Sequence, residues 1–541
     1  MTTDSGRQTT ENNLGSWLLV LDSKNIKKMK SIKYILLLIL SIPLLTSCDD
    51  WLTVYPQNAQ VRDEYWQSKQ DVEAVIISGY YYLREMTINS LLPWGELRSG
   101  AIFDKSGNDL QKFQLKATSS KFCDWGSLYQ VINISNVVLK NAPAVQEIDE
   151  TYAKEEMNAH LCEAYFLRAL SYFYLVRNWR EVPLITEPYE DDTNSYQKAK
   201  SSEDDIIAQI KSDIKAALAT GAAKEYYNTT WETKGRATRW AFYALMADVC
   251  LWSEDYNTAL EYCNYLLETS SARKPAFMQT PSHASWFSMF NPGNSNESIF
   301  ELQWNYEESQ TNLLPVYFDN SSQNRKYELS YQLLLDFNLE YASTLENLKE
   351  AVRTMYGGYY VDNADAFEIA TRGYVWKYCG AQTLSDKRTA TYYDPNFIIY
   401  RVSEVMLMKA EALIMKTNGS NTADWEEAIN LMNEIRTRSN LEELEYTENL
   451  SEEEMLKMLL HEKRIEFVGE GKSWYDILRI GRRNNNKYKE LFLVQNVLNY
   501  NEQASESWLR SVLSNDDALF LPIMEDEIEV NSLLVQNPYY N

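Results

Sequence analysis

Hydrophobic residues recur along much of this chain with the spacing of buried or amphipathic helices. Residues 154–179 become apolar on nearly every side after Glu163, which predicts a helix enclosed by its neighbours. Pro183 follows soon afterwards, and proline cannot continue a helical hydrogen-bond ladder. Ser202 then offers an N-cap for a second helix that reaches about Ala219. The segment therefore predicts a helix–turn–helix pair.

The same arrangement returns twice. Residues 236–252 are followed by a short turn and a helix through Glu268, and residues 401–416 by a loop and a helix to Arg438. The second helices contain DYNTAL at 255–260 and DWEEAI at 424–429, each with an alanine three residues after an aromatic. A small residue there lets the next helix approach closely, as in tetratricopeptide-like pairs.

A fourth strongly helical stretch covers residues 451–479, with Glu452, Glu453 and Glu454 in its first turn, where the helix dipole favours acidic groups. Residues 88–127 and 270–400 differ, because they are rich in Gly, Asn, Ser, Pro and aromatics and have little sustained period. We interpret them as long ordered loops and short strands. The predicted fold class is mostly α, a tetratricopeptide-like helix-pair scaffold decorated with such loops, which commonly carry recognition residues.

The amino terminus predicts export. A basic stretch starting at Met29 precedes an apolar run over residues 34–45 that is too short to span a membrane. The run ends in Leu-Thr-Ser followed by Cys48, a pattern that resembles a bacterial lipobox, so Cys48 is the expected lipidation site. We expect residues 1–47 to be a signal peptide, with Met29 as the true start, and residues 48–541 to form a single domain held to a membrane by acyl chains.

Composition excludes several functions. The 541 residues carry a formal net charge of −25, so nucleic acid is not an expected partner. The six Cys form no CxxC pair and the three His form no HExxH motif, so neither a zinc site nor a cofactor is predicted. The acidic run at residues 361–368 lacks the glycine and the remaining ligands of an EF-hand, so no metal is predicted there either.

Several segments taken together resemble the SusD/RagB family of nutrient-binding outer-membrane lipoproteins. They occur in one order along the chain: CDDWL at 48–52, EAYFLRAL at 163–170, EVPL at 181–184, GRATRWA at 235–241, YRVSEV at 400–405, EKRIEF at 462–467 and LPI at 521–523. Three positions depart from the family pattern: Lys472-Ser473 before Trp474, Met524 where a proline is expected, and the missing final glycine after Pro538. These departures fall in scaffold segments.

The resemblance implies a cell-surface, lipid-anchored protein of the outer membrane. Such a protein would cover a SusC-like TonB-dependent transporter and bind oligosaccharide on an exposed face built from loops, without catalysis. The acidic residues after Cys48 are similar to those that accompany export to the surface in such proteins. The net charge would disfavour highly anionic sugars, although local charge can override the total.

Sugar rings stack their C–H faces on aromatic planes, and their hydroxyls need amide or carboxylate partners. Two segments offer both types of group and match the early and middle loops that bind ligand in the family. The candidate binding residues are Trp94, Arg98, Asp104 and Asn108 in the first segment, and Trp286, Trp304 and Tyr306 in the second. The competing interpretation is that Trp94 and Trp304 belong to the core.

The most catalytic-looking feature is the series Glu462, Glu466 and Glu470, whose spacing of four places all three carboxylates on one helix face. Paired carboxylates are what glycoside hydrolysis needs. We favour structural ion pairs instead, with Arg168, Arg401 or Arg464 as the cations. Two alternatives therefore remain beside non-catalytic glycan binding: a surface glycoside hydrolase, and a helical-repeat scaffold for peptide or protein.

Overall fold

The computed structural model describes residues 65–541, apart from 119–120, 191–194, 320–322, 344–351, 355–356, 358–374 and 382–385. Residues Trp66–Asn541 form one compact unit. The predicted signal peptide, Met29 and Cys48 lie outside the described residues, and so does the acidic run at 361–368.

The fold is mostly α, as predicted. The helices are α1 Lys69–Glu85, α2 Leu92–Glu96, α3 Gly126–Ile148, α4 Lys154–Trp179, α5 Glu203–Ala219, α6 Thr230–Gly235, α7 Arg239–Trp252, α8 Tyr256–Leu267, α9 His283–Phe287, α10 Leu314–Phe318, α11 Tyr331–Ser343, α12 Trp376–Cys379, α13 Val402–Met415, α14 Ala423–Arg438, α15 Glu452–Glu466, α16 Ser473–Asn486, α17 Gln495–Tyr500, α18 Glu506–Leu513 and α19 Glu525–Val530. None of the helices within this described part is both long and apolar enough to cross a membrane.

The three predicted helix pairs are confirmed as α4–α5, α7–α8 and α13–α14. Ser202 caps α5 by accepting the backbone N–H of Asp205, as its position in the sequence suggested. The alanines of the two matched segments, Ala259 and Ala428, are fully buried where the helices of each pair meet. Helix α4 is buried on nearly every side because α3 and α5 pack against it.

The helical stretch predicted over residues 451–479 consists of two helices. The chain forms α15, breaks at residues 467–472 and resumes as α16. Gly469 and Gly471 adopt φ values of +77° and +74°, a left-handed conformation that glycine accepts without steric cost. The break lets the backbone N–H groups of Gly471 and Lys472 donate to the buried carboxylate of Glu96, at 2.8 Å and 3.3 Å.

Two short antiparallel sheets lie among the connecting segments. Strand β1 (Ile102–Asp104) pairs with β3 (Tyr327–Leu329), with Phe103 opposite Glu328. Strand β2 (Ser298–Leu302) pairs with β4 (Phe397–Arg401). The β1–β3 sheet therefore joins the two segments that the sequence marked as connecting regions, and the β2–β4 sheet joins two parts of the second segment.

Candidate functional site

The first predicted binding segment lies in the core. Trp94 belongs to α2 and is 0% exposed; its indole N–H donates to the carbonyl of Phe122 at 2.9 Å. Arg98 is 1% exposed and donates to the carbonyl of Leu519 and to Asn178 Oδ1, at 2.9 Å and 2.8 Å. Neither side chain leaves a surface for a ligand, so the competing interpretation of Trp94 as a core residue is the one this structure supports.

Asp104 and Asn108 shape the turn that follows β1. One carboxylate oxygen of Asp104 accepts the backbone N–H and the hydroxyl of Ser106, at 2.9 Å and 2.6 Å. The other accepts the Asn108 side-chain amide at 3.3 Å, and Asn108 Oδ1 accepts the backbone N–H of Gln111. These polar groups are therefore already engaged within the turn.

The second predicted segment divides. Trp286 on α9 is 1% exposed and packs with its ring centroid 5.0 Å from that of Phe290, so it is a core residue. Trp304 is 5% exposed, with the Arg84 guanidinium 5.7 Å from its ring centroid. Tyr306 is 40% exposed and lies beside Tyr392, with ring centroids 5.9 Å apart. Only Trp304 and Tyr306 of the predicted residues lie at an open, aromatic surface.

That surface is an open groove of about 780 Å³, which we call the aromatic groove. Two of its rings are well exposed: Trp231 at 40% and Tyr392 at 59%. Its lining consists of Trp231, Asn291, Pro292, Asn294, Trp304, Asn305, Ala381, Asp386, Lys387, Arg388, Thr389, Tyr392 and Asp394.

The wall that carries Trp231 is fixed by the start of α6. Thr229 and Glu232 form a reciprocal capping box there, which determines where the helix begins. The carbonyl of Trp231 accepts the Gln303 side-chain amide at 2.9 Å. The same amide lies against Gly235 at the end of the helix. Glycine is needed there because a Cβ at this position would lie 1.9 Å from Gln303 Oε1. The Trp231 ring is thus carried on a short helix tied to the segment after β2.

The opposite wall is held by a buried guanidinium. Arg388 donates to the carbonyl of Phe290 at 3.0 Å and to the Asp394 carboxylate at 3.2 Å, and burial lowers its pKa to about 10. Asp394 also accepts the backbone N–H of Tyr306 at 3.3 Å. These contacts bring the segments that carry Tyr306 and Tyr392 together.

Beneath the groove lies a buried polar support. Glu301 accepts the Asn396 side-chain amide at 2.6 Å and the backbone N–H of Asn294 at 3.2 Å, and burial raises its pKa. Asn396 Oδ1 in turn accepts the backbone N–H of Trp304 at 3.3 Å. Because each partner is itself hydrogen-bonded, the groove is a preformed surface.

The chemistry available in the groove is that of recognition. Flat rings at Trp231 and Tyr392 present faces to solvent, and amides and carboxylates at Asn305, Asp386 and Asp394 lie on the same lining. Apolar C–H faces can stack on such rings while hydroxyl groups exchange hydrogen bonds with the polar groups. The groove therefore suits a polyhydroxylated ring compound.

The predicted ion pairing of the helix-spaced glutamates is confirmed, and all three are buried. Glu466 accepts from Arg401 and Arg438, at 2.6 Å and 2.5 Å, and Glu470 accepts from Lys377 at 2.6 Å. Burial raises the pKa of Glu466, but the guanidinium groups around it outweigh this and hold the pKa below the ordinary value. We call these residues, with Arg353 and Glu462, the ion-pair cluster; Arg353 pairs with Glu462 at 2.7 Å.

Of the three predicted cations, only Arg401 belongs to this cluster. Arg168 pairs instead with Asp213 at 2.6 Å, and Arg464 donates to the hydroxyl of Tyr500 at 2.6 Å. Both were wrong as partners because sequence spacing does not show which helices pack together.

One group of side chains has the composition of a metal site: Glu340, His461 and Glu462, whose ligand atoms lie within 4.8 Å of one another. The Arg353 guanidinium already donates to Glu340 at 3.1 Å and to Glu462 at 2.7 Å. A cation therefore occupies the position between the carboxylates, and these residues do not suit a metal ion.

Trp231 and Tyr392 are not among the binding residues predicted from the sequence. Tyr392 lies in the run Thr391-Tyr392-Tyr393-Asp394, where two adjacent aromatics before an Asp-Pro turn are a recognisable, if weak, loop signal. Trp231 follows a capping threonine, which predicts a helix start but gives no information on exposure.

Comparisons with known proteins agree with the fold. A SusD-like protein of Formosa agariphila is 24% identical over 529 residues, covering 91% of this chain and 98% of the relative. A SusD superfamily structure from Bacteroides thetaiotaomicron covers 88% of this chain and 99% of its own, with TM-score 0.68 and 20% identity. A structure described as a laminarin binding SusD-like protein covers 88% and 100%, with TM-score 0.64 and 19% identity.

Two family models match successive parts of the sequence. One, described as "Starch-binding associating with outer membrane", matches residues 50–251. The other, described as "SusD family", matches residues 220–540, which is more than half of the 541 residues. The resemblance drawn from the sequence motifs is confirmed, and the chain belongs to the SusD/RagB family.

Proposed function

We propose that this protein binds oligosaccharide in the aromatic groove without transforming it and delivers it to a SusC-like TonB-dependent transporter. It would act at the cell surface, anchored to the outer membrane through lipid on Cys48. The observation that carries the binding proposal is the pair of exposed rings, Trp231 and Tyr392, on a lining that also presents amides and carboxylates.

A planar ring that remains exposed on a rigid support is well suited to stacking, because it has few rotatable bonds to immobilise on binding. Trp231 and Tyr392 meet this condition through the bonded supports around Gln303 and Arg388. The laminarin-binding relative and the starch-binding description of the family model support a glycan as the ligand.

The absence of catalysis is part of the proposal. Glycoside hydrolysis needs two accessible carboxyl groups about the scissile bond. Within the described part of the chain, the glutamates that most resembled such a pair are buried and ion-paired in the cluster. Of the two carboxylates on the groove, Asp394 is ion-paired with Arg388.

The test is affinity electrophoresis of residues 49–541 through gels containing laminarin, starch or other polysaccharides, with a reducing-sugar assay on the same samples. We expect retardation on at least one polysaccharide and no release of reducing ends. Trp231→Ala and Tyr392→Ala should each weaken binding roughly 2–12-fold, because a lost aromatic contact is worth about 0.5–1.5 kcal/mol beyond area burial. Tyr265→Ala on α8, which removes another exposed ring, is the matched control and should bind like wild type.

Other outcomes favour the alternatives. Hydrolysis that is lost on replacing Glu466 would support a surface glycoside hydrolase. Failure to bind any glycan, combined with capture of a barrel transporter in pull-downs, would support a scaffold for protein. The anchor is tested separately by labelling cells with a fatty-acid probe, which should mark wild type and not Cys48→Ala.

A further inference from the structure

A second open groove, of about 700 Å³, lies where the turn after β1 meets residues 313–317 and 324–326. Three cationic side chains line it: Lys105, Arg325 and Lys326. The ring of Tyr317 lies on the same lining. We call it the basic groove, and it contrasts with a chain whose formal net charge is −25.

The ammonium group of Lys326 is the least compensated of these charges. It lies over the rings of Tyr317 and Tyr327, whose centroids are 5.0 Å and 5.1 Å from Nζ. Among the described residues, no carboxylate lies within ion-pair distance of it. Burial lowers its pKa, the carboxylate of Asp104 acts in the opposite direction, and the nearby cation Lys121 lowers the pKa further.

The neighbouring acidic groups are already engaged. Glu328 is shared by two cations, Arg325 and, at 3.8 Å, Lys105. Asp104 accepts three hydrogen bonds from Ser106 and Asn108 within its turn. The three cations on the lining therefore outnumber the acidic groups beside them, and the charge of the groove is positive.

Arg325 carries a second, independent sign of a missing acceptor. Its side chain is 8% exposed, and within the described part of the chain its Nε–H has no hydrogen-bond partner. A buried donor without an acceptor is unfavourable, and an acceptor at the groove that Arg325 lines would relieve part of this cost. Guanidinium groups bind sulfate and carboxylate oxygens especially well because their donors are planar and fixed.

The two grooves are built on one stretch of chain. Tyr306 lies beside the aromatic groove, Leu313 lines the basic groove, and between them the backbone N–H of Asn312 donates to the carbonyl of Tyr393 at 2.7 Å. A short stretch of chain therefore connects the two grooves, and a ligand that occupies both must be long enough to reach from one to the other.

We propose that the basic groove binds an anionic substituent, a sulfate ester or a carboxylate, of the oligosaccharide that the protein captures. This inference rests on the proposed function and adds a substrate class to it. The net charge of the protein alone would disfavour anionic sugars, but the positive charge of the basic groove acts on the ligand locally.

The experiment compares each anionic polysaccharide with its own neutral form: carrageenan and fucoidan before and after desulfation, and polygalacturonate before and after carboxyl reduction. Affinities are measured at low and at physiological salt. We expect at least one anionic form to bind about tenfold more tightly than its neutral form, and this preference to shrink with salt.

Lys326→Gln should remove most of that preference, and Lys326→Arg, which keeps the charge, should retain much of it. Lys215→Gln is the control because it changes the net charge equally at an exposed position on α5. Thermal midpoints of the variants establish that each is folded. Neutral binding should be the same in all four proteins.

Four results would overturn the inference. The inference would fail, and the proposed function would stand, if the protein bound neutral glycans alone. The same holds if Lys215→Gln lost as much of the preference as Lys326→Gln does. Binding of no glycan would remove both. Displacement by inorganic sulfate at the concentration at which the sulfated sugar itself competes would show recognition of the free anion, not of a sugar substituent.

Discussion

The ion-pair cluster and the aromatic groove use polar groups in opposite ways. Around Glu466 the charged groups face one another, and their side chains are 0% exposed. In the groove, Trp231 and Tyr392 are open to solvent and only their supports are buried. A helix-spaced row of carboxylates is therefore a weak sign of catalysis, whereas exposed rings on a fixed support indicate binding.

The largest expected effect is on the cluster. Glu466→Gln removes the buried carboxylate that Arg401, Arg438 and Arg353 share, and the other acidic partners of these groups compensate only part of their charge, so the free energy of unfolding should fall by about 3–5 kcal/mol. Urea denaturation measures it. The control is Glu453→Gln, at an exposed position on the same helix, which should change stability by less than about 0.5 kcal/mol. If both variants unfold alike, the cluster is not a structural element.

Trp94→Ala tests the assignment of the first predicted segment to the core. Removing a fully buried indole that is bonded to Phe122 should destabilise the protein by about 3–4 kcal/mol, because a large cavity remains. The variant that stays folded at low temperature should bind glycan as wild type does. Lost affinity with unchanged stability would return Trp94 to the binding site.

The contribution of the buried Glu96 to stability should depend on pH. Burial raises the pKa of Glu96 to about 8, against the opposing hydrogen bonds from Gly471 and Lys472. The folded state therefore holds a proton that the unfolded chain releases near its ordinary pKa of about 4.3, and this contribution to stability is lost as pH rises toward 8. Denaturation at pH 5, 7 and 8.5 should show wild type losing stability relative to Glu96→Gln, on the order of 2 kcal/mol across the range. A difference that does not vary with pH would contradict this.

The smallest effect is expected at Tyr306. Its ring is exposed and touches Tyr392 at the margin of the aromatic groove, so Tyr306→Ala should weaken glycan binding only about twofold to fivefold. The free energy of unfolding of the Tyr306→Ala variant should differ from that of wild type by less than about 0.5 kcal/mol. Affinity electrophoresis beside Tyr392→Ala measures the ranking, and a larger loss at Tyr306 than at Tyr392 would shift the centre of the site.

Helix pairs could be predicted from the sequence because their signals are local. Ser202 precedes an acidic first turn in the sequence, and it caps α5 as that position predicts. Ala259 and Ala428 occupy matching positions in the repeated segments, and both are buried. The break between α15 and α16 was missed because the hydrophobic pattern continues across Gly469 and Gly471. At the break, the backbone N–H of Gly471 donates to Glu96, which lies more than 370 residues earlier and is not visible in the local pattern.

The site was harder to predict for the same reason. Trp94 and Trp231 each have a glycine and a glutamate within four residues in the sequence. Their exposures, 0% and 40%, differ because the partners that cover Trp94, including Trp179, come from distant helices. Residue type indicated aromatic recognition, but only the fold determines which rings reach solvent.

Isothermal titration of the Trp231→Ala, Tyr392→Ala double variant tests the central claim most directly, on the polysaccharide that wild type binds best. The account predicts that the double variant loses at least about tenfold in affinity, with its thermal midpoint and the absence of reducing-end release unchanged. Wild-type affinity in the double variant would contradict it, because the ligand would then be held elsewhere.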